Sequence, residues 1–531
     1  MANPLFRTKS IESLLAQGQS GELKRSLNAL NLTFLGVGAI IGAGIFAMVG
    51  TASQAAGPAI ILSFVLAAVG CAFAGLCYAE FAAMIPVAGS AYVYSYATMG
   101  EFVAFVIGWA LTLEYALGAS TVAVGWSGYV VSFLNDLGVI LPGALTNAIG
   151  TDVVLLPKEI ALALARRSGW TEFSPALVTE ITTAGFDPTT LERTKALFNL
   201  PAMLIIAFLT MVLSRGISES AKLNNIIVIV KTLVILVFIF AGIWYVQSEL
   251  YEPFIPANPN EWGTFNPAKP EEGGFGHLGW TGILAGAGTI FFAYIGFDAV
   301  STAAQETKNP ARDLPIGILA SLFICTAIYI LVAYVLVGLV PFTRLNVPDP
   351  IAVGIDAVKD LAWLRFPIKL GAIMGLTSVM LVMMLGQSRV FYSMGKDGLL
   401  PSAFGKIHPK YQTPMLPTII TGVAAALLSG LLPIGTLGHM VSFGTLLAFA
   451  IVSLGILILR RTRPDLPRPF RTPWVPFVPI MGVLVSIGLI IGLEGQAKFW
   501  ATAWILVGLA VYFLYSRHNS VLQNEAKARG E

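Results

Sequence analysis

The chain has 531 residues; 56% belong to the AVILMFWYC set and only 11% are charged. A soluble globular chain carries about 25% charged residues to cover its surface, and with a mean hydropathy of +0.78 most of this chain has lipid as its solvent. The net charge of +3 is too small for a nucleic-acid binder of this length, the three cysteines (Cys71, Cys77, Cys325) sit inside apolar runs and frame no disulfide scaffold, and the four scattered histidines (His277, His408, His439, His518) lack metal-ligand spacing.

Residues 1–27 are polar and show no ordered signal-peptide pattern, so insertion is expected to be driven by the first span. A hydrocarbon core of about 30 Å needs about 20 apolar residues as a helix. Twelve stretches qualify, near 28–50, 58–84, 101–133, 198–214, 223–247, 279–303, 315–341, 367–393, 415–432, 436–459, 475–494 and 498–516. Short cytoplasmic loops hold excess Lys and Arg. With the N-terminus inside, the inner segments hold Arg7, Lys9, Lys24, Arg25, Arg215, Lys222, Lys308, Arg312, Arg389, Lys396, Lys406, Lys410, Arg460, Arg461, Arg463, Arg468, Arg471, Arg517, Lys527 and Arg529, which are 20 of the 32 basic residues. Twelve spans with both ends cytoplasmic fit that asymmetry.

The first span reads LTFLGVGAIIGAGIF over 32–46, with Gly36, Gly38, Gly42 and Gly44 close together. Glycine costs about 1 kcal/mol per residue in a helix interior. Two readings compete: close helix packing through small residues, or a discontinuous helix whose freed amides bind an anion and freed carbonyls a cation. The sixth span, GAGTIFFAYIGFD over 286–298, repeats the pattern with Gly286, Gly288 and Gly296. Matched interruptions at corresponding places in two five-span halves point to a transporter site. Facing half-helix ends suit a zwitterion with carboxylate and ammonium on one carbon.

Several charged or polar groups in or near the spans add to this. Lys231 lies about nine residues into the fifth span, where a lysine costs about 3 kcal/mol. It either snorkels or sits against the first break, where a readily lost proton could serve coupling. Glu114, the one acid well inside the third span, either faces the cavity and favours cationic side chains or hydrogen-bonds a neighbouring helix. Thr377 and Ser378, with Met380, lie in the eighth span; the hydroxyls can satisfy their own helix carbonyls. Glu80 and Glu306, at span ends, read as charged gates or plain surface pairs.

Several long motifs now bear on family. GVGAIIGAGIF (36–46) followed by AGP (56–58), CYAEFAAMIPVAGSAYVYSY (77–96), SRGISESAKLNN (214–225), FFAYIGFDAVSTAAQETKNPARDLPIGI (291–318) and SRVFYSMGKDGLLP (388–401) resemble the amino acid–polyamine–organocation superfamily, over residues 24–515. Within it the chain is most similar to the cationic amino acid transporter subfamily of bacterial type. The resemblance implies an all-α integral membrane protein with 12 transmembrane helices, a five-plus-five inverted repeat of the leucine-transporter type and discontinuous spans 1 and 6. It implies that the substrate carboxylate meets the backbone amides of Gly42, Ala43 and Gly44. The ammonium then meets carbonyls near Ile40 and Ile41 and, on span 6, Phe292, Ala293 and Ile295, with Phe292 as a lid. It implies Lys231 as the proton-coupling group, Thr377 and Ser378 as the lining of the second-cation position, and Met380 as the residue narrowing the distal pocket, which favours small or mid-sized neutral amino acids over cationic ones.

The expected organisation is a cytoplasmic segment 1–27, a first repeat 28–247 with an extracytoplasmic insertion 134–197, an outer loop 248–278, a second repeat 279–459, a cytoplasmic loop and spans 11 and 12 over 460–516, and a cytoplasmic tail 517–531. The insertion departs from the subfamily, where this link is shorter. It has helical candidates at 157–167 and 187–197 and reads as an outer lid, a surface for an unknown membrane or extracytoplasmic partner, or neutral decoration, the last being the expected reading. The function that follows is secondary active transport of L-amino acids across the cytoplasmic membrane, by proton-coupled symport, with an amino acid exchanger or a polyamine carrier as the alternative. The expected partners are an amino acid substrate, the proton and membrane lipid, with no nucleic acid, no cofactor and no metal. An enzyme would need a catalytic cluster at one depth and a channel a filter or pore ring; neither pattern is visible.

Overall fold

A computed structural model describes residues 4–10, 27–42, 44–86, 90–164, 166–216, 221–264 and 272–528. Each of the twelve apolar stretches coincides with helix. Stretch 1 forms α1 (Ala29–Ile40) and α2 (Val49–Ala56), separated by a break, and stretch 2 forms α3 (Ile60–Met84). A short α4 (Ser90–Thr98) precedes the long α5 (Glu101–Asp136). After the insertion come α8 (Leu200–Ser214) and α9 (Ala221–Gly242). Stretch 6 is again divided, into α10 (Gly279–Ile290) and the short α11 (Ala299–Thr302). Then follow α12 (Pro310–Leu339), α13 (Pro350–Asp356), α14 (Arg365–Lys396), α15 (Met415–Leu431), α16 (Ile434–Thr462), α17 (Phe477–Gly492) and α18 (Gly495–Val511). Seven helical runs among the described residues are long and apolar enough to cross a membrane by length and composition, and α8, α15 and α17 are shorter apolar helices.

The chain is not all helical. The insertion carries β1 (Asp152–Leu156), α6 (Lys158–Ala163), β2 (Gly169–Glu172), α7 (Pro175–Thr183) and β3 (Arg193–Lys195). Its strands form one antiparallel sheet in the order β2-β1-β3, with Val154 opposite Thr171 on one side and Arg193 on the other. The helix expected at 157–167 is present only as the short α6. The one expected at 187–197 is instead a turn and β3, because pairing with β1 outweighs the local preference of a short segment. Val154, Leu156, Ile160, Leu164, Leu177, Ile181 and Leu191 close a small core of the insertion's own.

Several helix pairs pack closely. α12 lies against α1 and α3, and α10 against α2 and α3. α5 lies against α14 and α16, and α15 against α8. Small residues let α12 close on α1: Gly36 faces Ser321, and Gly317 faces Leu32. Glu80 at the end of α3 is fully buried, so it is no surface pair. Arg460 grips it with two bonds of 3.0 and 2.7 Å, the Thr472 amide donates to it at 2.8 Å, and Arg468 stands 3.3 Å away. Both chain ends meet at the same end of the molecule. The Glu101 amide donates to Arg7 O, and its carboxylate accepts from Tyr96, Tyr512, Ser520 and Gln523.

Removing one member of a buried ion pair leaves the other uncompensated. Glu80→Ala is therefore expected to destabilise the protein by about 3 kcal/mol, read as a lowered thermal midpoint in detergent, whereas Asp465→Ala, whose partner Arg463 is exposed, leaves the midpoint unchanged.

Candidate functional site

The break in the first stretch begins where α1 makes its last regular bond, from the Ile41 amide to Val37 O at 2.9 Å. Ile41 then turns to φ −69°, ψ 96°, and the chain resumes as a wide turn over Gly44–Met48, closed by the Phe46 amide on Gly42 O at 3.2 Å. Ala43 falls outside the described residues. A helix that stops leaves its last carbonyls without amide partners, and in an apolar interior each must find another donor.

Two side chains supply them, and a third bonds the turn beyond the break. The Lys231 ammonium, from α9, donates to Gly38 O. The Tyr329 hydroxyl, from α12, lies 2.7 Å from Ile40 O. The Tyr129 hydroxyl, from α5, donates to Phe46 O at 2.7 Å. Lys231 is fully buried and does not snorkel; its stem runs along Gly375 of α14, where an added Cβ would lie 3.2 Å from its Cδ. A cation at a helix C-terminus also opposes the negative end of the helix dipole.

The second break mirrors the first. After α10 the chain makes a tight turn over Phe291–Tyr294, closed by Ile295 N on Phe292 O at 3.2 Å. Ile295 is extended at ψ 134°, and Gly296 adopts φ +117°, a region that suits glycine. The breaks touch backbone to backbone. A Cβ at Gly44 would collide with Ala293 Cα, and one at Gly296 would lie 2.8 Å from Ala39 C. Tyr329 joins them: its hydroxyl is also 3.1 Å from Ala293 O, and its one proton can serve either carbonyl.

Ile40, Ile41, Gly42, Gly44, Phe292, Ala293 and Ile295 are therefore brought together at one depth. Phe292 lies across from Gly118 of α5, which also meets Met383. Val379 of α14 packs on Gly42, and Met380 beside it is fully buried. The Thr377 hydroxyl donates to Ile373 O at 2.7 Å and accepts from the Trp126 indole at 3.0 Å; Ser378 donates to Gly375 O at 2.9 Å. Both hydroxyls thus satisfy their own helix.

Glu114 stands one turn of α5 from Gly118, with 1% of its surface exposed. Its neighbours are Asp298, just past the second break, and Thr445 of α16. Its Oε1 has no hydrogen-bond partner among the described residues, and neither does the fully buried amide of Gln387 on α14. Tyr115 donates to Asp298 at 3.3 Å. Buried polar groups ordinarily find partners, so this turn holds hydrogen bonds left for something else to make. Sequence reading missed Tyr329, Tyr129 and Gln387. The available signal was that a buried tyrosine hydroxyl needs an acceptor, but nothing local says which.

Gly44→Ala drives a Cβ into Ala293 backbone, whereas Gly42→Ala meets only the end of the Val379 side chain at 3.0 Å. The first is expected to cost about 3 kcal/mol and the second about 1 kcal/mol, read as a clear difference between their thermal midpoints in detergent.

The sequence model of the amino acid permease family matches residues 27–514. The chain is 42% identical over 525 residues to the branched-chain amino acid permease BcaP of Bacillus subtilis, covering 98% of this chain and 100% of that one. It is equally, 42%, identical over 524 residues to the methylthioribose transporter of the same organism, covering 98% and 99%. It is 36% identical over 462 residues to the vacuolar cationic amino acid transporter 2 of Arabidopsis thaliana, covering 87% of this chain and 64% of that one. The chain belongs to the amino acid permease family of the amino acid–polyamine–organocation superfamily.

Proposed function

We propose that the protein is an alternating-access carrier that brings small or mid-sized neutral L-amino acids across the cytoplasmic membrane by proton symport. The observation that carries this reading is the contact between two interrupted helices, Gly44 against Ala293, with a backbone carbonyl on each side, Ile40 O and Ala293 O, met by one shared tyrosine hydroxyl. The carboxylate is assigned to the amides of Gly42, Ala43 and Gly44, at the start of the segment leading into α2, and the ammonium to carbonyls at Ile40, Ile41, Phe292, Ala293 and Ile295. Phe292 covers the substrate. In this reading Tyr329 occupies the Ile40 and Ala293 carbonyls when no ammonium does.

The twelve helical stretches are read as twelve spans, 28–247 and 279–459 as inverted repeats, and the end holding Arg460 and both termini as cytoplasmic. The basic residues on that end support this orientation. Met380, buried beside the Gly42 contact of Val379, narrows the pocket. Thr377 and Ser378 are assigned to the second-cation position; the Lys231 ammonium, on Gly38 O and along Gly375 of α14, already supplies a cation there, and this supports coupling without sodium. Lys231 is the proton carrier. When it binds Gly38 O it holds the end of α1, and proton loss would release that end. Cys325 is the other titratable group beside it.

A second reading is a cationic substrate, and one observation favours it: the buried Glu114 has Asp298 as a neighbour and lies one turn of α5 from Gly118, which faces Phe292. Two relatives of equal identity carry different cargoes by name, so identity alone does not choose between an amino acid and methylthioribose.

Proteoliposomes separate these. An inward proton gradient is expected to drive accumulation of labelled L-leucine, competed by small and branched neutral amino acids but not by arginine, putrescine or methylthioribose. Accumulation driven by sodium and indifferent to pH contradicts proton symport; a strict need for internal amino acid indicates exchange. Lys231→Met is expected to abolish accumulation yet keep exchange of labelled for unlabelled substrate. Met380→Ser is expected to let larger or cationic side chains compete, and an unchanged competition profile removes Met380 from the pocket.

A further inference from the structure

The insertion between α5 and α8 makes bonds outside its own core. It reaches across the molecule and grips the segment joining α12 to α13. Arg344 of that segment donates from Nε to Glu180 at 3.0 Å and from Nη1 to Leu164 O at 3.1 Å. Glu180, on α7, is also held by two bonds from Arg166 at 2.7 and 3.1 Å. A second grip runs from Arg167 to Asp349 at 3.0 Å, with Asp356 at 3.9 Å, and Arg167 also donates to Ser132 of α5. Asp349 is almost fully buried, so this pair is shielded from salt. Bidentate guanidinium–carboxylate pairs are the geometrically demanding kind.

The gripped segment covers the first break. Leu345 O lies directly on Gly50 of α2, so tightly that no Cβ fits at 50. Pro348 lies on Gly128 of α5, where an added Cβ would be 2.6 Å away, and α13 packs against the Gly44–Met48 turn. Leu345 is fully buried. Segment 341–356 thus rests on both α2, at Gly50, and α5, at Gly128. The insertion is anchored to α5, where Asn135 donates to Ser168 O.

We infer that the insertion is a latch of the outer gate: Glu180 and Arg167, with Arg344 and Asp349, are positioning residues that hold segment 341–356 down over α2 and so favour the outward-closed state. This rests on the alternating-access reading. The latch is not a proton sensor at working pH. Burial alone would raise the Glu180 carboxyl, but Arg166 and Arg344 outweigh it and hold it below the usual carboxylate range. A group with a depressed pKa gives its full stabilisation above the ordinary value of about 4.3 and loses it only as pH falls below. The latch is thus expected to be equally strong across pH 5 to 8.

The test is the rate at which a membrane-impermeant maleimide reaches a cysteine placed under the latch, Leu345→Cys, in the full-length protein in proteoliposomes. The native Cys71, Cys77 and Cys325 are buried. Glu180→Gln and Arg344→Gln are each expected to raise that rate at least threefold, with no further rise in the double variant, while the half-saturating external substrate concentration falls. If Arg344→Gln does not accumulate as folded protein, Arg167→Gln breaks the second grip and is expected to raise the rate likewise. A labelling rate unchanged from the intact latch in folded variants, or effects that simply add, overturns the inference. Because labelling needs neither substrate nor coupling ion, that outcome leaves the transport reading standing.

Discussion

Backbone carbonyls in an apolar interior must be bonded, and a helix satisfies this by itself until it stops. Here two helices stop at the same depth, and the structure depends on how the freed carbonyls are answered. Gly38 O is answered by Lys231, Ile40 O and Ala293 O by Tyr329, and Phe46 O, in the turn beyond the break, by Tyr129. These donors come from α9, α12 and α5, so the break is where three helices outside it are tied together. Each tie is a single hydrogen bond, worth about 1 kcal/mol net and more when charged. Bonds of that size can be exchanged for bonds to a ligand at little net cost, which a site that must bind and release requires.

The four glycines of the first stretch divide between the two roles that compete in the sequence. Gly36 and Gly38 are packing positions, against Ser321 and Val228, and lie within α1. Gly42 and Gly44 belong to the break, and Gly44 is where the second break approaches. The paired interruptions were legible because glycine is costly in a membrane helix and appears twice in register. Glu114 and Lys231 were legible because charge at that depth is costly. The partner of Lys231 was not, because Gly38 lies 193 positions away and only packing brings the two together. The same holds for Tyr329, whose two acceptors are 289 and 36 positions away.

The insertion shows a different limit. Its length and mixed charge were visible, but β3 has only three residues and exists through its pairing with β1. Nor does any local signal mark Glu180 as the acceptor of an arginine from beyond α12. A segment that reads as optional is built into the cover of the break by charges whose meaning is wholly tertiary. Polar contacts around the first break therefore form two sets: buried neutral and cationic donors at the break itself, and carboxylate–guanidinium pairs on the segment that lies over it.

The central claim is that the break recognises an α-carbon bearing both carboxylate and ammonium. The most direct measurement is ligand-induced thermal stabilisation of the purified protein by L-leucine, its methyl ester, its des-amino analogue and methylthioribose, side by side. The account predicts stabilisation by L-leucine alone, since each analogue lacks one or both of the groups that the two half-helix ends receive. Equal stabilisation by the methyl ester or the des-amino acid, or stabilisation by methylthioribose in its place, would contradict it.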